Sequence, residues 1–158
     1  MSEDRLLQDV GREALAKQPF SVLLGAELVE LSAGHAVLRV PVTSQVLQQF
    51  GYVHGGLISY VADNALTFAG GSVLGIDVVM AEFKINYLRP AVGAVLMAQA
   101  RCVHAGRRQA VCVSEIYTAD AAREEHMCAI AQGTIVKSSA AAARSARDFP
   151  RAVGTGVG

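Results

Sequence analysis

The chain has 158 residues, which at about 150 residues per domain makes one domain. Its 14 basic and 14 acidic residues cancel, so no global field is available to hold a polyanion, which argues against a general nucleic-acid binder. Hydrophobic residues make up 52% and charged residues only 18%, so part of the surface is expected to be covered by a second subunit.

Residues 4–18 carry a helical pattern, with Leu6, Leu7, Val10 and Leu15 on one side, and Pro19 is expected to end it. Residues 26–32 and 35–42 read as strands joined at Ala33-Gly34, a hairpin. Residues 44–53 are a polar, Gln-rich connection. The spacing predicts one long central helix over 55–73. Leu57, Val61, Asn64 and Phe68 fall near one face, Ile58, Ala62, Ala65 and Ala69 beside it, and no clear solvated stripe appears. Four extended segments follow, 78–88, 94–104, 109–118 and 126–136, with turns at Gly106-Arg107-Arg108 and 120–124. No helix separates them, so they are expected to be antiparallel. One sheet wrapped over one apolar helix accounts for this order, an α+β domain. The expected organisation is an N-terminal helix over 1–18, the domain over 19–137, and a tail over 138–158 with an alanine run and a glycine-rich end.

The start Met1-Ser2-Glu3-Asp4-Arg5 is mixed in charge with no apolar run behind it, which is not a secretory signal. The apolar stretch 55–75 holds Asp63 and Asn64 at its centre and reads as a helix buried in protein, with no membrane contact expected. Cys102, Cys112 and Cys128, an odd number without metal-ligand spacing, point to a reducing, cytoplasmic setting and to small buried residues. No metal or cofactor is expected: there is neither a phosphate loop nor a dinucleotide glycine fingerprint, and no Gly-x-Ser-x-Gly.

The most informative stretch is His54-Gly55-Gly56 at a loop-to-helix junction, followed by Asp63. Two glycines let a substrate approach the backbone, and the first helix N–H groups carry partial positive charge able to hold an oxyanion. Asp63 lies seven residues after Gly56, about two turns or ~10 Å along the helix. It cannot act on a carbonyl held by its own helix start, but could act on one held by a second subunit. An acid in an apolar helix needs either a partner or a task, and tight packing with a hydrogen-bonded Asp63 is the competing structural reading.

His54-Gly55-Gly56 with Asp63, then Tyr87-Leu88-Arg89-Pro90-Ala91, then Gly106-Arg107-Arg108, resembles the hotdog-fold acyl-CoA thioesterases, in particular the phenylacetate-pathway (PaaI-like) branch, over about residues 19–137. The resemblance implies a single hotdog domain, an antiparallel sheet wrapped around one long helix, and hydrolysis of an acyl-CoA to free acid and coenzyme A. It implies Asp63 as general base or nucleophile, the Gly55 N–H as oxyanion donor, His54 as a shaper of the loop, and homodimers commonly assembled into tetramers. Gly56, Arg89, Arg107 and Arg108 become candidates for substrate contact, the arginines toward coenzyme A phosphates. Two positions depart from the pattern. Gln48 stands where many relatives have Asn, keeping the amide one methylene further out. Met80 stands where some have Ser or Thr. Glu82, on the same strand as Met80, is a second acid of interest. The competing functions are a non-catalytic acyl-CoA or lipid-binding hotdog module and a hydratase, whose Asp–His motif is missing.

Overall fold

The computed structural model describes residues 3–139; the expected tail lies outside the described residues except for Ser138 and Ser139. In chain order the elements are α1 (Glu3–Ala16), α2 (Pro19–Leu24), β1 (Glu27–Ser32), β2 (His35–Pro41), a 3₁₀ turn (Ser44–Val46), α3 (Gly55–Leu74), β3 (Val78–Tyr87), β4 (Val95–Ala105), β5 (Gln109–Ala119) and β6 (Glu125–Lys137). Pro19 does not only follow the first helix. It opens a second, because a proline at the first helical position gives up an N–H that would be unpaired anyway. Gly25, at φ 67°, closes that helix in the left-handed conformation.

The six strands form one sheet in the order β1-β2-β4-β5-β6-β3, every pair antiparallel. The chain leaves β2, runs through α3 across one face, and returns as β3 at the far edge. Alternation puts Ala36, Leu38, Val40, Leu96, Ala98, Ala100, Ala110, Cys112 and Ile116 under the helix, all essentially inaccessible. The small residues among them let α3 lie close. At Gly70 the approach is closest: a Cβ there would stand 2.8 Å from Ile135 Cβ. From α3 the core receives Leu57, Ile58, Val61, Ala62, Ala65, Leu66 and Ala69. This is the expected architecture of one sheet over one long helix.

The two sheet edges differ. At β1, a bulge at Leu28/Glu30 leaves backbone groups turned away from β2. Gln8 Nε2 donates to Leu28 O (3.1 Å), Gln8 Oε1 accepts from Leu31 N, and Arg12 Nε donates to Leu28 O (3.3 Å). Helix α1 reaches this close because Gly11 has no side chain; a Cβ would fall 2.5 Å from Leu31 Cδ2. Among the described residues, none pairs with the outer edge of β3. That strand runs ten residues without a proline, and Val79 and Tyr87 are half exposed.

Candidate active site

The start of α3 is built by His54. Its backbone is extended (φ −61°, ψ 135°), and its Nδ1 accepts from the Gly56 N–H at 2.8 Å, capping the helix and placing the ring proton on Nε2. The His54 carbonyl takes the Leu57 and Ile58 amides, at 2.9 and 3.3 Å. Of the first amides, the Gly55 N–H alone makes no hydrogen bond among the described residues, so the positive end of the helix dipole is concentrated there. Gly56 needs to be glycine, since a Cβ would press to 2.9 Å on His54 Nδ1. Across the junction, the Tyr87 hydroxyl reaches Gly55 O at 3.2 Å and Ser59 Oγ at 2.8 Å, tying the first turn of α3 to β3.

An open cleft of about 670 Å³ begins at this junction and is lined by Gln48, Tyr52, Gly55, Gly56, Tyr87 and Arg89, among others. Gln48 sits in a tight loop where Gly51 adopts φ 83° and Gln48 N bonds Tyr52 O at 2.8 Å. Its side-chain oxygen accepts from the Phe50 N–H. The amide nitrogen is thereby left as a donor beside the cleft.

Asp63 lies two turns further along α3 and is half-buried. Burial pushes its carboxyl above the ordinary aspartate value, opposed by the Thr67 hydroxyl, which donates to Asp63 Oδ1 at 3.4 Å. Ser59, Asp63 and Thr67 are spaced by four and share one face of the helix. Polar residues therefore do gather on a narrow stripe, which the sequence reading had not resolved. On the adjoining face Tyr60 and Asn64 meet the α1–α2 junction. The Tyr60 hydroxyl donates to Ser21 Oγ (2.6 Å), and Asn64 Nδ2 donates to Gln18 Oε1 (3.0 Å) and the Tyr60 hydroxyl (3.1 Å). Every buried side-chain polar atom among the described residues has a partner, so this junction is rigidly specified.

The remaining candidates are dispersed. Met80 packs inward beside the core near Gly133, where a Cβ would meet its sulfur at 3.0 Å. Glu82 is exposed and accepts from Thr134 Oγ1 at 2.6 Å across the β3–β6 pair; it lines a groove with Lys84 and Gln132 rather than the cleft at Gly55. Arg107 and Arg108 form the β4–β5 turn. The Arg108 carbonyl accepts from Lys137 N, beside the start of β3, while Tyr87 at the strand's other end holds Gly55. Within one chain these arginines and the cleft thus lie at opposite ends of a ten-residue strand, about 30 Å. A single chain brings together Gln48, Gly55, Gly56 and Arg89, with His54 capping the junction, but not Asp63, Glu82 or the arginine pair. Tyr87 as a buttress and Thr67 as the partner of Asp63 were not singled out from sequence; the four-residue spacing of Ser59, Asp63 and Thr67 was the available signal.

A long helix laid across a six-stranded antiparallel sheet, with a His-Gly-Gly helix start, defines the hotdog class of thioester-handling proteins. Residues 50–124 match the model of the Thioesterase superfamily. Acyl-coenzyme A thioesterase PaaI of Escherichia coli is 34% identical over 94 residues, 59% of this chain and 66% of that protein. The 1,4-dihydroxy-2-naphthoyl-CoA hydrolase of Listeria monocytogenes is 30% identical over 86 residues, 53% of this chain and 70% of that one. A thioesterase family protein of Silicibacter pomeroyi superposes with a TM-score of 0.78 at 31% identity, covering 82% of this chain and 96% of that structure. The chain belongs to the thioesterase superfamily and is PaaI-like. No helix among the described residues is long and apolar enough to cross a membrane.

Proposed function

We propose that the chain hydrolyses an acyl-CoA thioester to the free acid and coenzyme A, at a site shared between two copies. The observation that carries this reading is the pairing of a half-buried carboxylate, Asp63, with an unpaired amide at the start of the same helix, Gly55. The Gly55 N–H would hold the carbonyl oxygen as it gains charge, and the Gln48 amide donor stands on the same cleft. Asp63 would act at the carbonyl carbon, either taking the proton of an attacking water or attacking directly. In the first case the thiolate of coenzyme A leaves as the acid forms, and the proton held by Asp63 passes to it; in the second the thiolate leaves a mixed anhydride on Asp63, which water then opens to the free acid and the regenerated carboxylate, its proton passing to the thiolate in solution. Eight residues separate Gly55 from Asp63, about 12 Å along one helix, so the two serve one carbonyl only if they come from different chains. The unpaired edge of β3 supports that assembly. A second copy adding its own β3 antiparallel would run the two sheets together and set the two α3 helices side by side in opposite directions. The same two-fold would carry Arg107 and Arg108 of the partner subunit to the cleft end, where guanidinium groups suit coenzyme A phosphates.

The test is thiol release from acyl-CoA by the Asp63→Asn variant. Asn preserves the acceptor for Thr67 and the shape of the helix while removing the base. The expected loss is about 10²–10⁴-fold, with oligomer size and melting unimpaired. A folded Asp63→Asn oligomer turning over at the parental rate overturns the mechanism.

A further inference from the structure

The three cysteines are free thiols, and two of them face each other. Cys102 on β4 and Cys112 on β5 are direct partners in the strand register. Both belong to inward rows, Ala98, Ala100 and Cys102 on one strand and Ala110, Cys112 and Ser114 on the other. Cys102 gives its N–H to Gly34 O at 2.7 Å, on the β2 side, so between β4 and β5 this pair exchanges no backbone hydrogen bond. Such pairs approach to about 4.5 Å between Cα atoms and bring their side chains closest together, a spacing that a disulfide can span. The two thiols differ in setting. Cys112 is inaccessible beneath α3, and burial, then the neighbouring Cys102 sulfur, holds its thiol well above the ordinary range. Cys102 is half-buried beside the Gly34 turn, where a Cβ on the glycine would stand 3.4 Å from Cys102 Cβ. Cys128 is separate, on β6, its thiol donating to Ile116 O at 3.4 Å.

We propose that Cys102 and Cys112 form a thiol–disulfide site, closed by hydrogen peroxide and reopened by small thiols, that braces the hairpin carrying Gly106-Arg107-Arg108. Cys102, the more accessible sulfur, meets the oxidant. Its thiolate attacks one peroxide oxygen and the O–O bond breaks. Hydroxide leaves and takes up the proton that Cys102 gave up, becoming water, and Cys102 is left as a sulfenic acid. The Cys112 sulfur then attacks the Cys102 sulfur. The S–S bond forms, the S–O bond breaks, and the hydroxyl leaves with the Cys112 proton as a second water. Two thiols are oxidised by two electrons and one peroxide is reduced to two waters. The pair lies at the neck of the hairpin, because the β4–β5 ladder is interrupted by a bulge at Cys102/His104. Beyond that bulge the turn is closed by the Gly106 N–H donating to Gln109 O at 2.8 Å. A disulfide there encloses residues 102–112 and restricts opening of the tip. The neck is already fastened to the end of α3, since the Gly34 N–H donates to Ser72 Oγ at 2.8 Å. Neither sulfur lines the cleft at Gly55, so the site is independent of the proposed reaction. In a reducing setting the pair stays as two thiols, and exposure to peroxide closes it.

The experiment treats the folded full chain with a modest excess of hydrogen peroxide, alkylates the remaining thiols after unfolding, and maps tryptic peptides by mass spectrometry. Cleavage at Arg101, Arg107, Arg108, Arg123 and Lys137 puts each cysteine on its own peptide. The expected result is a loss of about 2 Da per chain, with peptide 102–107 joined to peptide 109–123 and both restored by dithiothreitol. Cys128 should remain alkylated throughout. Amide hydrogen exchange over 103–108 should slow by at least about threefold in the oxidised chain and recover on reduction. Cys102→Ser should abolish the link. Cys112→Ala, a small residue placed among buried alanines, should stop the chemistry at a Cys102 sulfenic acid that dimedone captures. The map of the unsubstituted chain decides the site even where a variant does not fold. Three free thiols after treatment, a sulfinic acid on Cys102, a link between chains, or a disulfide that forms only when urea is present overturns the site. A cross-linked chain with unchanged exchange over 103–108 overturns the brace.

Discussion

Replacing Gly55 by proline removes the proposed oxyanion donor with little other disturbance. Proline at the first position of a helix is favourable, since its fixed φ suits the helix and its missing N–H has no intrahelical acceptor. The residue before a proline must be extended, and His54 already is, at φ −61° and ψ 135°. The nearest neighbours of an added Cβ are the Tyr87 hydroxyl and ring carbons, at 3.5–3.6 Å, which is ordinary contact. The Gly55 carbonyl, which Tyr87 uses, is untouched. The variant should therefore fold and lose about 10²–10³-fold in kcat. Asp63→Asn is likewise expected to be folded and slow. Mixing the two after reversible unfolding then tests the shared site. In a hybrid, Asp63 of the proline-bearing chain faces the intact Gly55 of the other, giving one complete site and one doubly damaged. Random pairing in a two-fold dimer should restore about a quarter of parental activity per chain. Thiol release is the assay, with hybrid content checked by a charge tag on one chain. Verified hybrids as inactive as their parents would refute the placement of Asp63 opposite the partner's helix start. Full activity in Gly55→Pro alone would refute the donor.

Two further outcomes follow from the geometry of α3. Burial holds the Asp63 carboxyl above its unfolded value, so native protein binds that proton more tightly; stability falls as pH rises through the window between the two values and stays lower above it. Asp63→Asn should accordingly melt higher than the parent near neutral pH, the gain vanishing below the ordinary aspartate range, while the acidic limb of parental kcat/KM lies above that range. His54→Ala removes the Nδ1 cap on Gly56 and should cost about 1 kcal/mol by denaturant titration, with His54→Asn recovering most of it.

Alternation of apolar and polar residues was enough to place the hairpin, the long helix and all four later strands, because each strand has one buried face and α3 is apolar over most of its surface. Pro19 was read as a stop because sequence shows that a helix cannot continue through it, not that another begins there. Strand order was invisible. β3 lies beside β6 rather than β4 because α3 carries the chain across the whole sheet, a tertiary choice with no local signature. In the site, His54, Gly55, Gly56 and Asp63 stood out through glycine pairing and a misplaced charge. Tyr87 stood out only as part of its motif, without its contact to Gly55, which it reaches from thirty-two residues away, and Thr67 did not stand out, because it gains meaning only from the carboxylate it contacts. That His54 Nδ1 occupies the Gly56 amide, leaving Gly55 as donor, depends on a side-chain rotamer.

The unlike edges of the sheet connect these observations. Were both edges open, the domain could add strands at either side and build an endless sheet, the usual hazard of exposed β-edges. Gln8 and Arg12 satisfy β1, so among the described residues β3 is the edge left open to addition, and pairing at one edge by a two-fold closes at two copies. A change in α1 that loosened the Gln8 contacts would therefore expose a second edge. Gln8→Ala should, at high protein concentration, promote association beyond the parental oligomer in light scattering. Association unchanged in Gln8→Ala but raised in the Gln8→Ala, Arg12→Ala double variant would show that Arg12 is enough to seal the edge. Association unchanged in both would show that α1 is held to the sheet by packing at Gly11 and Leu15 rather than by its side-chain hydrogen bonds.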